Sequence, residues 1–227
     1  MKITKQTFDI LKNFSTINTG IVVNSGSELK TISNQKNIFA KTKVVEVFET
    51  EFAIYDLIEF LNLANSSVFF GGDYQFNDDS VILSKDKDKS TYFYADQSTI
   101  VIPTKEVSMP DPEIQFSLTE NSISKITQMA SILGKPDLAV RNVANSITLS
   151  VLDKRDTSSN IYDLEVGDGN GVDFNMYFRV ENLKLLKGNY NVSISSDGIS
   201  HFIHDDLNLE YWIALEPDST YGDNENA

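Results

Sequence analysis

The chain has 227 residues, enough for one large or two small domains, and each half is long enough to bury a core of its own. It has no cysteine, which excludes disulfides and thiolate metal sites; no apolar run approaches the ~18 residues of a membrane span, and no apolar leader follows Met1, so neither classical export nor a membrane partner is expected. The formal charge of −14 is uneven: 11 Lys face 14 acids over residues 1–110, while 8 basic face 19 acidic residues over 111–227, which argues against gripping nucleic acid with the whole surface.

In chain order, Met1–Ile17 reads as an amphipathic helix. Thr4 is placed to accept an orphan N–H of its first turn, and large apolar residues recur at intervals of three to five. Gly20–Val23 and Leu29–Ile32 read as short strands about a turn at Asn24-Ser25-Gly26, and Ile38–Phe48 as a longer one stiffened by Val44, Val45 and Val47. Glu51–Ile54 leads into a second helix that ends at Asn62–Ser66. Strands then follow at Val68–Gly71 (Ser67–Phe70 where the repeat is compared), Val81–Ser84 and Thr91–Ala95, with a solvated charged turn at Asp86-Lys87-Asp88-Lys89.

Pro103, Pro110 and Pro112 fall within ten residues and mark a linker that begins near residue 97, because proline lacks a donor and resists both helix and central strand. The expected domains are 1–110 and 111–227. The second half reads as a strand at Glu113–Leu118, a helix, strands at 138–140, 146–152, 161–166 and 175–180, a short helix, and strands at 190–195, 199–204 and 209–216. From Asp218 the tail is polar and expected to fray.

The halves repeat one another. Ile3, Thr4, Phe8, Leu11, Phe14 and Ile17 recur 115 residues later, without a gap, as Leu118, Thr119, Ile123, Ile126, Met129 and Ile132. Tyr55–Leu61 aligns with Val180–Leu186 at an offset of 125, which predicts a fourth helix over the latter segment. Two such matches argue for duplication of one helix-and-sheet unit, an α+β chain of two repeated domains.

Catalytic signals are sparse. The only histidines, His201 and His204, lie three apart on a strand and so point to opposite faces, surface or half-buried, unable to share a metal. Gly167–Asp173 resembles a calcium loop only briefly: from Asp168, position 6 is Asp173 where glycine is needed and position 12 is Arg179 where glutamate is needed. Phosphate-binding loops, nucleophile elbows and zincin motifs do not occur. The expectation is a protein that is not an enzyme and has no metal site.

Four stretches, Leu11–Ile21, Ala53–Leu57, Asp96–Val101 and Ala214–Thr220, resemble the sliding clamps of DNA polymerases, and among them those of T-even-type tailed phages. The resemblance is colinear over nearly the whole chain. It implies the DNA-clamp (processivity) fold, with helices inside and antiparallel sheets outside. It further implies a homotrimeric ring that encircles duplex DNA and tethers the replicative polymerase, loaded by a separate ATP-dependent clamp loader, with no cofactor of its own. The expected location is the cytoplasm of an infected host cell, and transcription factors are left open as further partners. About twelve helices at ~8–10 Å spacing would enclose a hole ~25 Å wide, enough for a duplex and a layer of water.

Under that resemblance the inward cations are Lys5 and Lys12 on the first helix, Lys125 on the third, and Lys184 and Lys187 at the fourth, with Lys2 and Lys135 as outlying candidates. The third helix offers mainly Ser, Thr and Glu120 on its polar face, so a patchy lining is expected. The family also holds partners by a short peptide in an apolar pocket between the domains. Candidate lining residues are Ile100, Ile102, Val107, Met109 and Pro110 from the linker region, and Trp212, Leu215 and Pro217 near the end. The rival reading is a structural ring or tail component of a phage particle, and a weaker one is a hydrolase with acids gathered from distant strands.

Overall fold

The computed structural model describes residues 1–156 and 158–222. The chain divides into two compact units, Met1–Glu106 and a second that starts at Val107.

The first unit opens with α1 (Lys5–Ile17), followed by β1 (Ile21–Val23), β2 (Gly26–Ile32), β3 (Ile38–Phe48) and β4 (Phe52–Ile54). Helix α2 (Leu57–Ala64) precedes the strands β5 (Asp73–Phe76), β6 (Ser80–Lys85) and β7 (Asp88–Phe93). The strands pair antiparallel as β2–β3, β1–β4 and β5–β6–β7. Beneath the helices, Phe8, Leu11, Phe14 and Ile17 of α1 are buried together with Leu57, Phe60 and Leu61 of α2. An aromatic cluster of Phe48, Phe52 and Phe76 has ring centroids 4.7–5.5 Å apart.

Helix α1 starts where Thr4 accepts the N–H of Thr7, at 3.3 Å. A second, tertiary cap comes from β3. Alternation turns Val45 and Val47 outward and Glu46 inward, where its carboxylate accepts from the Thr4 N–H (2.5 Å) and the Thr7 hydroxyl (2.6 Å). Burial alone raises the Glu46 carboxyl, but these bonds outweigh it and hold the group below its ordinary value.

The second unit contains β8 (Ile114–Leu118), α3 (Glu120–Leu133), β9 (Asp137–Val143), β10 (Ser146–Leu152), β11 (Tyr162–Asp168) and β12 (Phe174–Arg179). It ends with β13 (Tyr190–Ser195), β14 (Ile199–His204), β15 (Leu209–Ala214) and β16 (Thr220–Tyr221). One antiparallel sheet runs β11-β10-β9-β12-β16, and β15, β14, β13 and β8 are consecutive antiparallel neighbours. Thr119 caps α3 by accepting from Ser122 N at 3.1 Å, the counterpart of Thr4, and Gly134 ends the helix in the left-handed conformation at φ 62°. The repeat is looser below the cap. Ile17 is 5% exposed but its counterpart Ile132 is 65% exposed, so α3 buries a narrower face than α1.

Three expected elements differ. Val180–Leu186 is not an α-helix: a single 3-10 turn covers Val180–Asn182, and among the described residues the chain has three α-helices. Asp56 caps α2 through Glu59 N, whereas Arg179, which precedes the 3-10 turn, makes no side-chain cap and reaches Asp137 instead. Two tyrosine hydroxyls then hold Leu186 extended, with Tyr211 accepting its N–H and Tyr190 donating to its carbonyl. Ser67–Phe70 is a turn rather than a strand, because the Ser66 carbonyl accepts the N–H groups of Phe69 and Phe70. The tail does not fray at Asp218: Thr220–Tyr221 pairs with β12, and residues 223–227 of the expected frayed tail lie outside the described residues.

Replacing Glu46 with Gln removes a charged acceptor from the start of α1, and chemical denaturation at neutral pH should show a loss of about 2 kcal/mol. Because the folded carboxyl titrates below its unfolded value, its stabilisation is complete above the ordinary glutamate range near ~4.3 and is lost as pH falls through the folded value. The gap between wild type and variant should therefore close on acidification below that range.

Candidate nucleic-acid interface

The polar face of α1 carries Lys5, Asp9, Lys12 and Thr16, the two lysines and Thr16 exposed. Lys5 pairs with Asp9 one turn on, at 2.5 Å, in an open position where such a pair contributes about 0.3–0.5 kcal/mol. That pairing offsets part of the Lys5 charge. Lys12 makes no ion pair among the described residues and is the stronger local cation. Helices α1 and α2 flank a groove lined by both lysines with Asn62, Asn65, Ile58 and Phe70. Helix α2 supplies no lysine; its first turn holds Glu59, which with the Asp56 carbonyl accepts from the Tyr92 hydroxyl. Burial, and secondarily Glu59, pushes that hydroxyl up to about 12.

In the second unit Lys125 is exposed on α3. Lys135 follows Gly134, half-buried in a notch with Thr127, Ser131, Arg179 and Glu181. Arg179, which pattern reading did not single out, spends its charge on Asp137 at 2.8 Å; that carboxylate is 1% exposed. Lys184 and Lys187 sit not on a helix but on the extended segment after Asn182, half-buried and exposed respectively. Lys2 is exposed ahead of α1.

The apolar candidates separate by burial. In the first unit Ile100 is buried against Gly20, whose backbone it approaches so closely that an added Cβ would meet Ile100 Cγ1 at 3.1 Å, while Ile102 is exposed. Asn18 ties this stretch down: Nδ2 donates to the Ile32 and Val101 carbonyls (2.9 and 3.0 Å) and Oδ1 accepts from Gly20 N. Lys30 holds Glu106 (2.6 Å) and Glu28 (2.8 Å), and its ammonium is raised chiefly by Glu106. In the second unit Trp212 and Leu215 are buried, Val107, Met109 and Pro110 half-buried, and Pro217 exposed. Trp212 stacks on His201 at 4.2 Å, and His201 Nε2 lies 2.9 Å from Glu210.

His204, expected at the surface or half-buried, is 5% exposed. Its signal was tertiary: nothing in the local pattern separates it from His201. Among the described residues no group of three or more acids and histidines is placed to hold a metal ion, and no helix is long and apolar enough to cross a membrane.

A threonine-capped helix laid on antiparallel strands, once in each half, defines the class of DNA-clamp folds. The family model described as DNA polymerase processivity factor matches residues 3–102, and that described as gp45 sliding clamp, C terminal, matches residues 115–217. The chain is 33% identical over 223 residues to the sliding clamp of Vibrio phage KVP40, covering 95% of this chain and 99% of that protein. It is 30% identical over 230 residues to the sliding clamp of Enterobacteria phage T4, covering 97% and 99%. Two solved structures share the fold. One is the proliferating cellular nuclear antigen of Entamoeba histolytica, with a TM-score of 0.65 and 16% identity over 92% of this chain and 94% of that one. The other is the DNA polymerase sliding clamp of Pseudomonas aeruginosa, with a TM-score of 0.67 and 11% identity over 95% and 66%.

The chain belongs to the sliding-clamp family and is a DNA polymerase processivity clamp. The structural ring or tail component is not favoured.

Removing the Asn18 side chain deletes three hydrogen bonds at one buried point. Asn18→Ala should cost about 2 kcal/mol in denaturation and speed limited proteolysis in the stretch after Val101.

Proposed function

We propose that three copies of this chain close around duplex DNA, with α1 and α3 directed inward, and that retention comes from closure rather than from tight phosphate contacts. The single observation that carries this reading is the duplicated, threonine-capped helix, which in each half leaves a lysine-bearing face exposed over an antiparallel sheet. Lys12 and Lys125 are its central cations, with Lys2, Lys5, Lys135, Lys184 and Lys187 around them. A ring of this kind does no bond chemistry; a separate ATP-dependent loader opens it, in the cytoplasm of the host.

Closure has a natural means. Strand β7 ends the three-stranded sheet of the first unit and β11 ends the five-stranded sheet of the second. An unpaired edge is a template for another chain, and Lys89 on β7 complements Glu165 on β11, whose neighbour Asp163 is already held by Arg141 and Ser150. The pairing joins one copy's β7 to the next copy's β11. Native mass spectrometry over a range of concentrations tests it: a three-chain species supports closure, and a lone subunit at every concentration rejects it.

The acidic balance favours this arrangement. At physiological salt a charge acts over about 8 Å, so a few inward lysines set the potential they need while the remaining acids repel stray nucleic acid. Lys12→Glu should lower DNA-stimulated loader ATPase more than Lys5→Glu, whose charge Asp9 already offsets. Equal effects, or none, would remove Lys12 from the lining.

Partner peptides are assigned to the exposed end of the C-terminal strand and the linker residues of the second unit. Buried Trp212 and Leu215 support that surface from below, and Pro217 and Met109 contact the peptide. Pro217→Asp should weaken binding of a polymerase-derived peptide about tenfold, the scale of one interface anchor. Unchanged affinity in a titration would reject the assignment.

A further inference from the structure

The segment Leu183–Gly188 takes the place that α2 has in the first unit, and the sheet beside it holds it by side chains. Leu186 is clamped at both backbone groups: its N–H donates to the Tyr211 hydroxyl (3.1 Å) and its carbonyl accepts from the Tyr190 hydroxyl. One residue on, the Lys187 carbonyl lies 3.2 Å from His204 Nε2, while His204 Nδ1 lies 3.1 Å from the backbone N of Asp206. A backbone N–H can only donate and a carbonyl can only accept. The imidazole proton therefore sits on Nε2, and the ring is neutral in this arrangement.

Nothing else fits there. The ring is edge-on to Tyr190 at 5.0 Å. Gly188, at φ 150°, passes so close that a Cβ would lie 2.1 Å from Nε2. The titratable and charged groups around the ring are Tyr190 from β13, Tyr211 from β15, Asp205 and Asp206 from the turn after β14, and Lys187 from the strap; Glu120, at the start of α3, acts on Tyr190. Burial, before any charge, pushes both tyrosine hydroxyls far up, so they stay neutral. His201 is on the opposite face of β14. Protonating His204 would set a donor at Nδ1 against the Asp206 N–H, and a charge inside a cage of rings.

We infer that His204 is a positioning residue for the lysine strap: its neutral ring joins the Lys187 carbonyl to the Asp205–Asp206 turn and so fixes where Lys184 and Lys187 meet the phosphates of duplex DNA. The latch stands on the geometry above, and its consequence for DNA rests on the inward placement of these lysines under the proposed function.

Hydrogen exchange on the full-length chain reads the latch without DNA. In His204→Phe, protection of the Leu186 amide should fall about three- to tenfold against wild type, the equilibrium worth of one hydrogen bond, with β9 and β10 unchanged. His204→Gln keeps a donor for the Lys187 carbonyl, so its strap should stay protected. A Phe variant as protected as wild type, or a Gln variant as open as the Phe variant, overturns the latch. If the latch holds but Lys184→Glu with Lys187→Glu loads onto DNA like wild type, the role toward DNA is overturned and the inward placement of these two lysines falls with it.

Discussion

A helix can offer a steady charged face to a ligand only when its other face is fixed to something rigid, and in the first unit that fixing has two parts. The apolar stripe Phe8, Leu11, Phe14 and Ile17 is sealed below α1, which sets the helix roll. The Glu46 carboxylate on β3 then takes the Thr4 N–H and the Thr7 hydroxyl, which sets where the helix begins. A buried acid is costly unless it is hydrogen-bonded, and here the positive end of a helix supplies the bonds. The position of Lys5 and Lys12 relative to the strands follows from that join.

The two halves solve the same problem differently. Asp56 starts a true helix in the first unit, and α1 and α2 enclose a groove with lysines on one side and asparagines on the other. In the second unit the residue before the aligned segment is Arg179, a donor-only side chain paired with buried Asp137, so no side-chain cap forms and the backbone needs other partners. Tyr190, Tyr211 and His204 provide them. Without a helix there, the second unit contributes one α-helix and one extended strap where the first contributes two α-helices, among the described residues. The greater exposure of Ile132 than of Ile17 belongs to the same divergence.

Charge follows a similar logic. Several cations outside α1 are spent structurally: Lys30 on Glu28 and Glu106, Lys154 on Glu216 and Asp218, Arg179 on Asp137. Those that remain exposed on helices or strap are few. A clamp that must slide has no use for a dense phosphate grip, because each neutralised phosphate ties the protein to one position and makes the complex more sensitive to salt.

Local pattern alone determined a good deal. The threonine caps of α1 and α3, the bounds of β3, β10, β13 and β14, and the charged turn at Asp86 are all short-range matters, where side-chain spacing and cap chemistry decide the outcome. Alternation misled at Ser67–Phe70, since burying Phe69 between exposed Val68 and Phe70 mimics a strand while Ser66 closes a turn. Tertiary structure alone decided Glu46 as a helix cap 42 residues from Thr4, Asn18 as the anchor of a stretch 83 residues away, and the loss of a fourth helix to two distant hydroxyls. Each depends on partners brought together by packing, and spacing along the chain carries no record of which groups packing will bring within 3 Å.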